Sequence, residues 1–524
     1  MNLLPENQKT PTAKRLVSRQ KSRMRAWIDR RAFILSYLGS LLMVMGILMF
    51  IPLIPLEIYD EWGVHAISCW TFILPGLLSV VIGLLLQKGI SLKTPSVSDA
   101  MVITALGWIL VGVLGAIPFM LGIHKSFIDA FFESVSGFTT TGITVFEGLD
   151  TMPRSILFWR SFTQWIGGLG ILTFFLFVSF RGGSAAACLF GAEGHKIGTS
   201  RPVPGIFHTV KVLWLIYTVF TIGSILAFLL GGMSGFDALN HSLTCISTGG
   251  FSTHDQSIGY YAAHHFAHAS FLEYTVIFFM LAGGTNFLVH YKVATGKIRV
   301  LVRDFEMRWY GFMIGMATCL VVIDHFFHFP LMGRPLFETL RSVFRICLFQ
   351  IASIITSTGF ATRDIGAPFF PALSKQIFLM LMVVGGCVGS TAGGIKILRF
   401  GILIKMFRTQ IYRIVAPRKA VAPIVVQGQI IPKEEIERIG ALFSSWLVLI
   451  GLGALITAFF SDLNAWQSFS GMASAMGNMG PFYFTVHKMA SLNWIVKATF
   501  IFGMLAGRLE ILPVAVILSR STWR

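Results

Sequence analysis

Four glycine-bearing segments, each wedged between two apolar stretches of membrane-crossing length, constrain this chain more than any other feature. They are Thr139-Thr140-Thr141-Gly142-Ile143, Ser247-Thr248-Gly249-Gly250-Phe251, Thr356-Ser357-Thr358-Gly359-Phe360 and Gly477-Asn478-Met479-Gly480-Pro481. The shared glycines fall at 142, 250, 359 and 480, so the intervals are 108, 109 and 121 residues. A fourfold recurrence of small polar residues among apolar segments implies backbone carbonyls gathered around one axial path for a cation.

The apolar stretches lie at about 33–56, 66–87, 100–122, 154–180, 209–231, 269–291, 309–330, 374–407, 436–460 and 492–519. Each is near the roughly 20 residues a helix needs to cross a bilayer. With 54% hydrophobic and 13% charged residues and a mean hydropathy of +0.72, the 524-residue chain is excluded from the soluble class. The predicted fold is an all-α membrane protein: two extra N-terminal helices (33–98) after a basic tail (1–32), then four pseudo-symmetric helix–pore helix–helix units around a central pore. The units are expected at 99–181, 208–294, 307–407 (with a broken second helix) and 434–524.

The net charge of +18 reads as loop charge on one side of a membrane rather than as nucleic-acid binding. Lys88, Lys93, Arg181, Lys196, Arg201, Lys292, Lys297, Arg299, Arg303, Lys405, Arg408, Arg413, Arg418 and Lys419 share that side, whereas Glu57, Asp60, Glu61, Glu147, Asp150 and Asp255 occupy the other. The basic side is therefore expected to be cytoplasmic, with both termini there and the glycine segments opening outward. The basic tail, Lys9 to Arg31, is either solvated or held at anionic lipid. Six scattered cysteines without a Cys-x-x-Cys pair argue against a disulfide scaffold, zinc site or redox motif.

Asp129 and Asp237 each precede a shared glycine by 13 residues. An Asp at a helix N-cap followed by about ten helical residues spans about 15 Å, half the hydrocarbon core. Such a short helix points its negative C-terminal end at the membrane centre, where it favours a cation. The glycine segment behind it offers carbonyl oxygens in place of a hydration shell. Glycine suits a backbone that turns its carbonyls one way at positive φ. The third and fourth units are expected to be less regular, because Ile346 and Gln467 stand where the others have Asp.

Segment 374–407 carries Gly385-Gly386-Cys387-Val388-Gly389-Ser390-Thr391-Ala392-Gly393-Gly394. Each glycine costs a helix about 1 kcal/mol, and irregular backbone at membrane depth needs protein or a watery cavity around it. A broken helix with a loop in the pore is expected, against the alternative of a glycine-rich packing face. Arg508, deep in the last span, carries an insertion cost of about 2.5–3.5 kcal/mol. Glu510 is two residues on and cannot share its helix face, so the alternatives are a distant acid or snorkelling.

On these segments, together with Asp129-Ala130-Phe131-Phe132-Glu133-Ser134, Gln164-Trp165-Ile166-Gly167-Gly168-Leu169-Gly170, Gly249-Gly250-Phe251-Ser252-Thr253-His254-Asp255 and Gly507-Arg508-Leu509-Glu510, the chain resembles the Trk, Ktr and HKT superfamily of potassium transporters. Within it, the bacterial Trk membrane subunit is the nearest type, over about residues 35 to 524. The resemblance implies a filter at Thr140, Thr141, Gly142, Thr248, Gly249, Gly250, Ser357, Thr358, Gly359, Asn478, Met479 and Gly480, holding potassium. Four glycines favour potassium, since a serine at the first position accompanies sodium transport in plant relatives; Met479 and Pro481 imply a non-equivalent fourth quadrant. It further implies a gate built from Gly385, Gly386, Gly389, Ser390, Thr391, Gly393, Gly394 and Arg508. The implied partners are a second copy in a homodimer, membrane lipid and a cytoplasmic Rossmann-type nucleotide-binding regulatory subunit; the implied location is the bacterial inner membrane.

Other readings are weaker. His264, His265 and His268, and Asp324-His325 with His328, have spacings that a metal tolerates, yet both groups sit near outer ends of spans. Gly389 to Lys396 lacks the Gly-Lys-Ser/Thr of a phosphate loop. Glu147, Asp150 and Asp255 either concentrate cations at the mouth or form a solvated rim, and Glu133 has backbone within reach. A symporter coupled to protons or sodium is the alternative function, although it wants a midplane acid or histidine. A membrane enzyme would need converging acid, base or metal groups, and none is expected, nor a covalent cofactor.

Overall fold

The computed structural model describes residues 31–64, 67–88, 96–170, 206–329, 335–415, 417 and 422–523. Most of the basic tail, and Lys93, Arg181, Lys196, Arg201, Arg418 and Lys419, lie outside the described residues. Two leading helices, α1 (Arg31–Ile58) and α2 (Trp70–Gln87), pack through glycines seven residues apart. A Cβ on Gly46 would come within 2.6 Å of the Gly76 carbonyl oxygen, and one on Gly39 within 2.8 Å of Gly83 O. Such backbone approach is what holds helices together where lipid is as apolar as leucine.

Four groups of elements follow. The first has α3 (Val97–Ile123), the short α4 (Phe127–Phe138) and α5 (Arg154–Gly168); the second has α6 (Ile206–Leu230), α7 (Gly235–Ile246), α8 (Ala269–Gly283) and α9 (Phe287–Ala294). The third has α10 (Phe305–His328), α11 (Leu336–Ile355), α12 (Ala372–Val384) and α13 (Ile397–Val415). After a hairpin of β1 (Val425–Val426) and β2 (Gln429–Ile430), the fourth has α14 (Lys433–Phe459), α15 (Ala465–Gly477), α16 (Trp494–Arg508) and α17 (Leu512–Leu518).

Among the described residues six helices are long and apolar enough to cross a membrane, and eight if each of two bent pairs counts as one span. Of the ten stretches expected, 154–180 is described only through its first half. Segment 374–407 is broken as expected, but so are two others. The pair α8/α9 bends by 101° at Gly284-Thr285-Asn286 and α16/α17 by 119° at Leu509-Glu510-Ile511. In the second break Glu510 and Ile511 both take positive φ, 55° and 65°, a costly conformation for a β-branched residue.

The short helices begin differently from the expectation. Ser126 and Ser234, not Asp129 and Asp237, are the N-caps of α4 and α7, each accepting from the amide of the Asp three residues on. The fourth group keeps the same logic with Asn464 and Gln467, a reciprocal capping box. In the third, α11 starts at Leu336 and runs for 20 residues, so no cap is required near Ile346. At 12 residues, α4 is about 18 Å long.

The four helices that lead into the glycine segments, three short and one of 20 residues, end in one motif. The amides of Thr140, Thr248, Ser357 and Asn478 donate to Gly137, Cys245, Ile354 and Ala475; those of Thr141, Gly249, Thr358 and Met479 donate to Ser136, Thr244, Ser353 and Ser474. This is the Schellman pattern, whose left-handed residue is normally Gly or Asn. Here Thr140, Thr248, Ser357 and Asn478 have φ of 53°, 53°, 54° and 51°. Left-handed backbone at a residue other than glycine costs on the order of 1–3 kcal/mol. The fourth quadrant was expected to differ; its backbone matches the others, and only its side chains depart.

Ionic and polar contacts close the seams between groups. Asp129 meets Lys497 at 2.5 Å, Glu273 meets Arg345 at 2.7 Å, and His254 meets Asp150 at 2.5 Å. Between the third and fourth groups Arg399 pairs with Glu510 at 2.7 Å, and the Tyr483 hydroxyl donates to Lys375 O.

Candidate functional site

Beyond its left-handed residue each turn presents a glycine at positive φ: Gly142 (78°), Gly250 (75°), Gly359 (87°) and Gly480 (96°). Added Cβ atoms show why nothing larger fits. One on Gly142 would strike Gly249 O, one on Gly250 Thr358 O and one on Gly359 Met479 O; one on Gly480 would stand 3.1 Å from Thr141 O. The order is cyclic, first to second to third to fourth and back to first. Four turns spread over more than 300 residues of sequence thus form one closed ring, each glycine against the carbonyl preceding the next glycine. The Schellman bonds use up terminal helix carbonyls, while the oxygens of Thr141, Gly249, Thr358 and Met479 face the neighbouring turns, Gly249 O also accepting from Gln164.

The ring is braced from behind. The Gln164 side chain clamps the second turn, donating to Gly249 O at 2.7 Å and accepting from Phe251 N at 3.0 Å. Glu133 on α4 and Arg160 on α5 form a fully buried ion pair at 2.7 Å. Glu133 also accepts from Val145 N at 3.0 Å, while Arg160 donates to Ser252 O at 3.1 Å and lies 4.2 Å from the Phe251 ring centroid. One charge pair therefore holds the strands leaving both Gly142 and Gly250. Asn478 crosses between quadrants, its amide donating to Thr141 Oγ1 and Met504 O, both at 2.9 Å.

A cavity of ≈ 810 Å³ on one side of the ring is lined by all four glycines together with Arg160, Asp255, Glu273, Arg345, Arg363 and Asp364. Its rim is tied rather than merely solvated. Leu149 N donates to Asp255 at 3.1 Å, and His254 stands between Asp150 and Asp237 with its ring stacked 3.6 Å from Tyr260. Burial pulls the His254 pKa down, but its contacts with the Asp237 and Asp150 carboxylates outweigh that and leave it raised above the ordinary value.

A second, smaller cavity of ≈ 60 Å³ is bounded by Gly389, Ser390, Gly393, Gly394, Lys396 and Arg508 and touches none of the four ring glycines. The loop after α12 forms much of its wall. Gly385, Gly389 and Gly394 have φ of 72°, 72° and 78°. Thr391 Oγ1 donates to Ile246 O and Gly283 O, at 3.0 and 3.1 Å, and accepts from Thr248 Oγ1 at 3.1 Å. Gly393 N donates to Ser357 Oγ at 2.5 Å, Ile397 N to Gly386 O, and Ser390 Oγ to Cys387 O. The loop is therefore hydrogen-bonded directly to the left-handed residues of the second and third turns. Arg508 lies across it, donating to Thr391 O at 2.8 Å and to Gly167 O and Gly168 O at 2.5 and 2.6 Å. These three partners are backbone carbonyls, and Glu510 is taken by Arg399.

The four expected glycine turns are thus brought together in one ring, and the 385–394 loop and Arg508 are hydrogen-bonded beside it. Reading the sequence missed Gln164 as a clamp, Arg160 as the partner of Glu133, and the broken ends of α8 and α16. The histidines do not converge: among the described residues no group of three His, Cys, Asp or Glu is placed to hold a metal. His264 Nδ1 instead meets Tyr260 O at 2.9 Å, and Asp324 accepts from Ser374 N and Oγ.

Short helices re-entering between spans and meeting at a closed axial ring define an all-α membrane transport architecture. A family model described as cation transport protein, TrkH, matches residues 76–522. The Trk system potassium uptake protein TrkH of Salmonella typhimurium is 32% identical over 431 residues, 81% of this chain and 86% of that protein. An uncharacterized cation transporter of Methanocaldococcus jannaschii is 32% identical over 486 residues, 92% of this chain and 94% of that protein. The crystal structure of the potassium transporter TrkH from Vibrio parahaemolyticus superposes with a TM-score of 0.81 at 30% identity, covering 94% of this chain and 99% of that one. The chain belongs to the TrkH family.

Proposed function

We propose that this protein takes up potassium across the bacterial inner membrane by conduction through the glycine ring, as the membrane subunit of a Trk-type system. The cyclic contact of the four turns carries the reading: each quadrant supplies a carbonyl to a common axis, and the negative ends of four short helices face it. Potassium as the ion is supported by the names of the relatives and by glycine in all four quadrants. Thr140, Thr141, Gly142, Thr248, Gly249, Gly250, Ser357, Thr358, Gly359, Asn478, Met479 and Gly480 form the filter. The 385–394 loop and Arg508 form the gate, a reading supported by the loop's hydrogen bonds to Thr248 and Ser357 and by the bond from Arg508 to Thr391 O.

The reading divides the chain into repeats at 99–181, 208–294, 307–407 and 434–524 and puts both termini on the cytoplasmic side, as the loop charges favour. The protein works as a homodimer on a cytoplasmic Rossmann-type nucleotide-binding subunit, a reading supported by the relatives' names, which place them in a Trk system, and by the basic loops. Liposome flux tests the proposal. Gly142→Ser should lower potassium preference over sodium, and Arg508→Ala should raise flux; unchanged selectivity in the first variant removes the filter assignment. Flux that follows an imposed proton or sodium gradient would favour a symporter instead.

A further inference from the structure

The loop under the ring is fastened at both shoulders by one carboxylate that belongs to a different helix. Glu306 sits in the first turn of α10, buried, and its Oε1 accepts from Val388 N at 2.7 Å and from Leu398 N at 3.2 Å. Val388 precedes the stretch that crosses the axis and Leu398 follows it, so a single side chain closes the loop's base. One carboxyl oxygen thus accepts two backbone amides that flank the crossing stretch.

Glu306 is in turn connected to the surface. Asp304, the N-cap of α10, accepts from the amides of Glu306 and Met307 through Oδ1 and from the Gln427 side chain through Oδ2, at 2.6 Å. Gln427 and Gly428 form the tip of the β1–β2 hairpin, both at positive φ (52° and 78°), the turn type that matches strand twist. The hairpin rests on the protein through Val426, packed against Phe305, Ile402 and Ile439, and through Lys405 Nζ donating to Val425 O. Between hairpin and loop lies a cavity of ≈ 80 Å³ lined by Asn286, Lys292, Asp304, Glu306, Val388 and Gln427, among others. It gives the hairpin room to shift toward or away from the loop's base.

We propose that Glu306 is the positioning residue of the gate, tied through the Asp304 cap to the exposed 425–430 hairpin. This rests on the reading of the 385–394 loop as the gate. Pressing or lifting the hairpin moves the Asp304 cap, and with it the carboxylate that holds Val388 and Leu398. The hairpin is bonded to the helix cap by one neutral-donor contact, from Gln427 to Asp304.

The experiment compares wild type, Glu306→Gln, Glu306→Ala, Gln427→Ala and Arg508→Ala in liposomes, reading maximal potassium flux, half-saturation and potassium-over-sodium selectivity. Since one hydrogen bond is worth up to about a factor of ten in an equilibrium, Glu306→Ala should raise maximal flux about tenfold, with half-saturation and selectivity unchanged. Glu306→Gln, which keeps one acceptor oxygen, should fall between it and wild type, and Gln427→Ala should raise flux severalfold less. A residue holding the fold alone would lower flux in all three. If Arg508→Ala raises flux and the Glu306 and Gln427 variants do not, the positioning role is wrong while the gate stands. If Arg508→Ala also leaves flux unchanged, the gate reading itself fails. For a variant at Glu306 that does not insert, Gln427→Ala, at an exposed turn, decides alone: flux at or below wild type overturns the proposal.

Discussion

Removing the charge on Arg160 should damage the ring before it damages the rest of the protein. In Arg160→Met the Glu133 carboxylate keeps Thr144 Oγ1 and Val145 N but loses its counter-charge at a fully buried position. Leaving one member of a buried pair unpaired costs about 3–5 kcal/mol. Glu133→Gln strands the guanidinium in the same way and belongs in the same range. The double variant strands neither; its main loss is the bond to Ser252 O, at about 1–3 kcal/mol. Two singles of 3–5 against a double of 1–3 imply a coupling of at least about 3 kcal/mol. The assay is reversible unfolding in mixed micelles for all four proteins, alongside liposome selectivity. Arg160→Met should also lose potassium preference, because Ser252 and Val145 lie just beyond Gly250 and Gly142. Additive costs, with a coupling under about 0.5 kcal/mol, would refute the reasoning.

Gly250→Ala should abolish potassium selectivity in flux assays, since its Cβ would meet Thr358 O and no rearrangement of a flexible side chain can relieve a backbone contact. His254 makes stability pH-dependent: its folded pKa lies above the ordinary 6.5, so its contribution is fully present below about 6.5 and lost as pH rises through the higher folded value. Thermal unfolding in detergent should show this loss in wild type and not in His254→Gln; identical profiles would remove the staple from the account. Gly46→Leu should lower the melting temperature by separating α1 from α2, while flux per folded protein stays constant.

The spacing of Gly142, Gly250, Gly359 and Gly480 exposed the ring in the sequence because positive φ and close backbone approach both demand glycine. The residues two places earlier were less legible: of Thr140, Thr248, Ser357 and Asn478, only Asn478 signals a left-handed backbone. Ser126 and Ser234 were available as caps in the pattern Ser-x-x-Asp, but the acids three residues on drew the assignment. The breaks in α8 and α16 carried a signal too, in Gly283-Gly284 and Gly507, obscured by apolar residues on both sides. The seam pairs left no sequence signal at all, since Lys497 and Asp129 lie 368 residues apart. Arg508 was recognised as costly, yet its partners are carbonyls of Thr391, Gly167 and Gly168, and backbone acceptors do not register in residue identities.

The most direct measurement is ion density on the axis. Crystals grown in rubidium, examined by anomalous scattering, should show a peak equidistant from the carbonyl oxygens of Thr141, Gly249, Thr358 and Met479. Peaks confined to the outer acids, with nothing at the ring, would contradict the account.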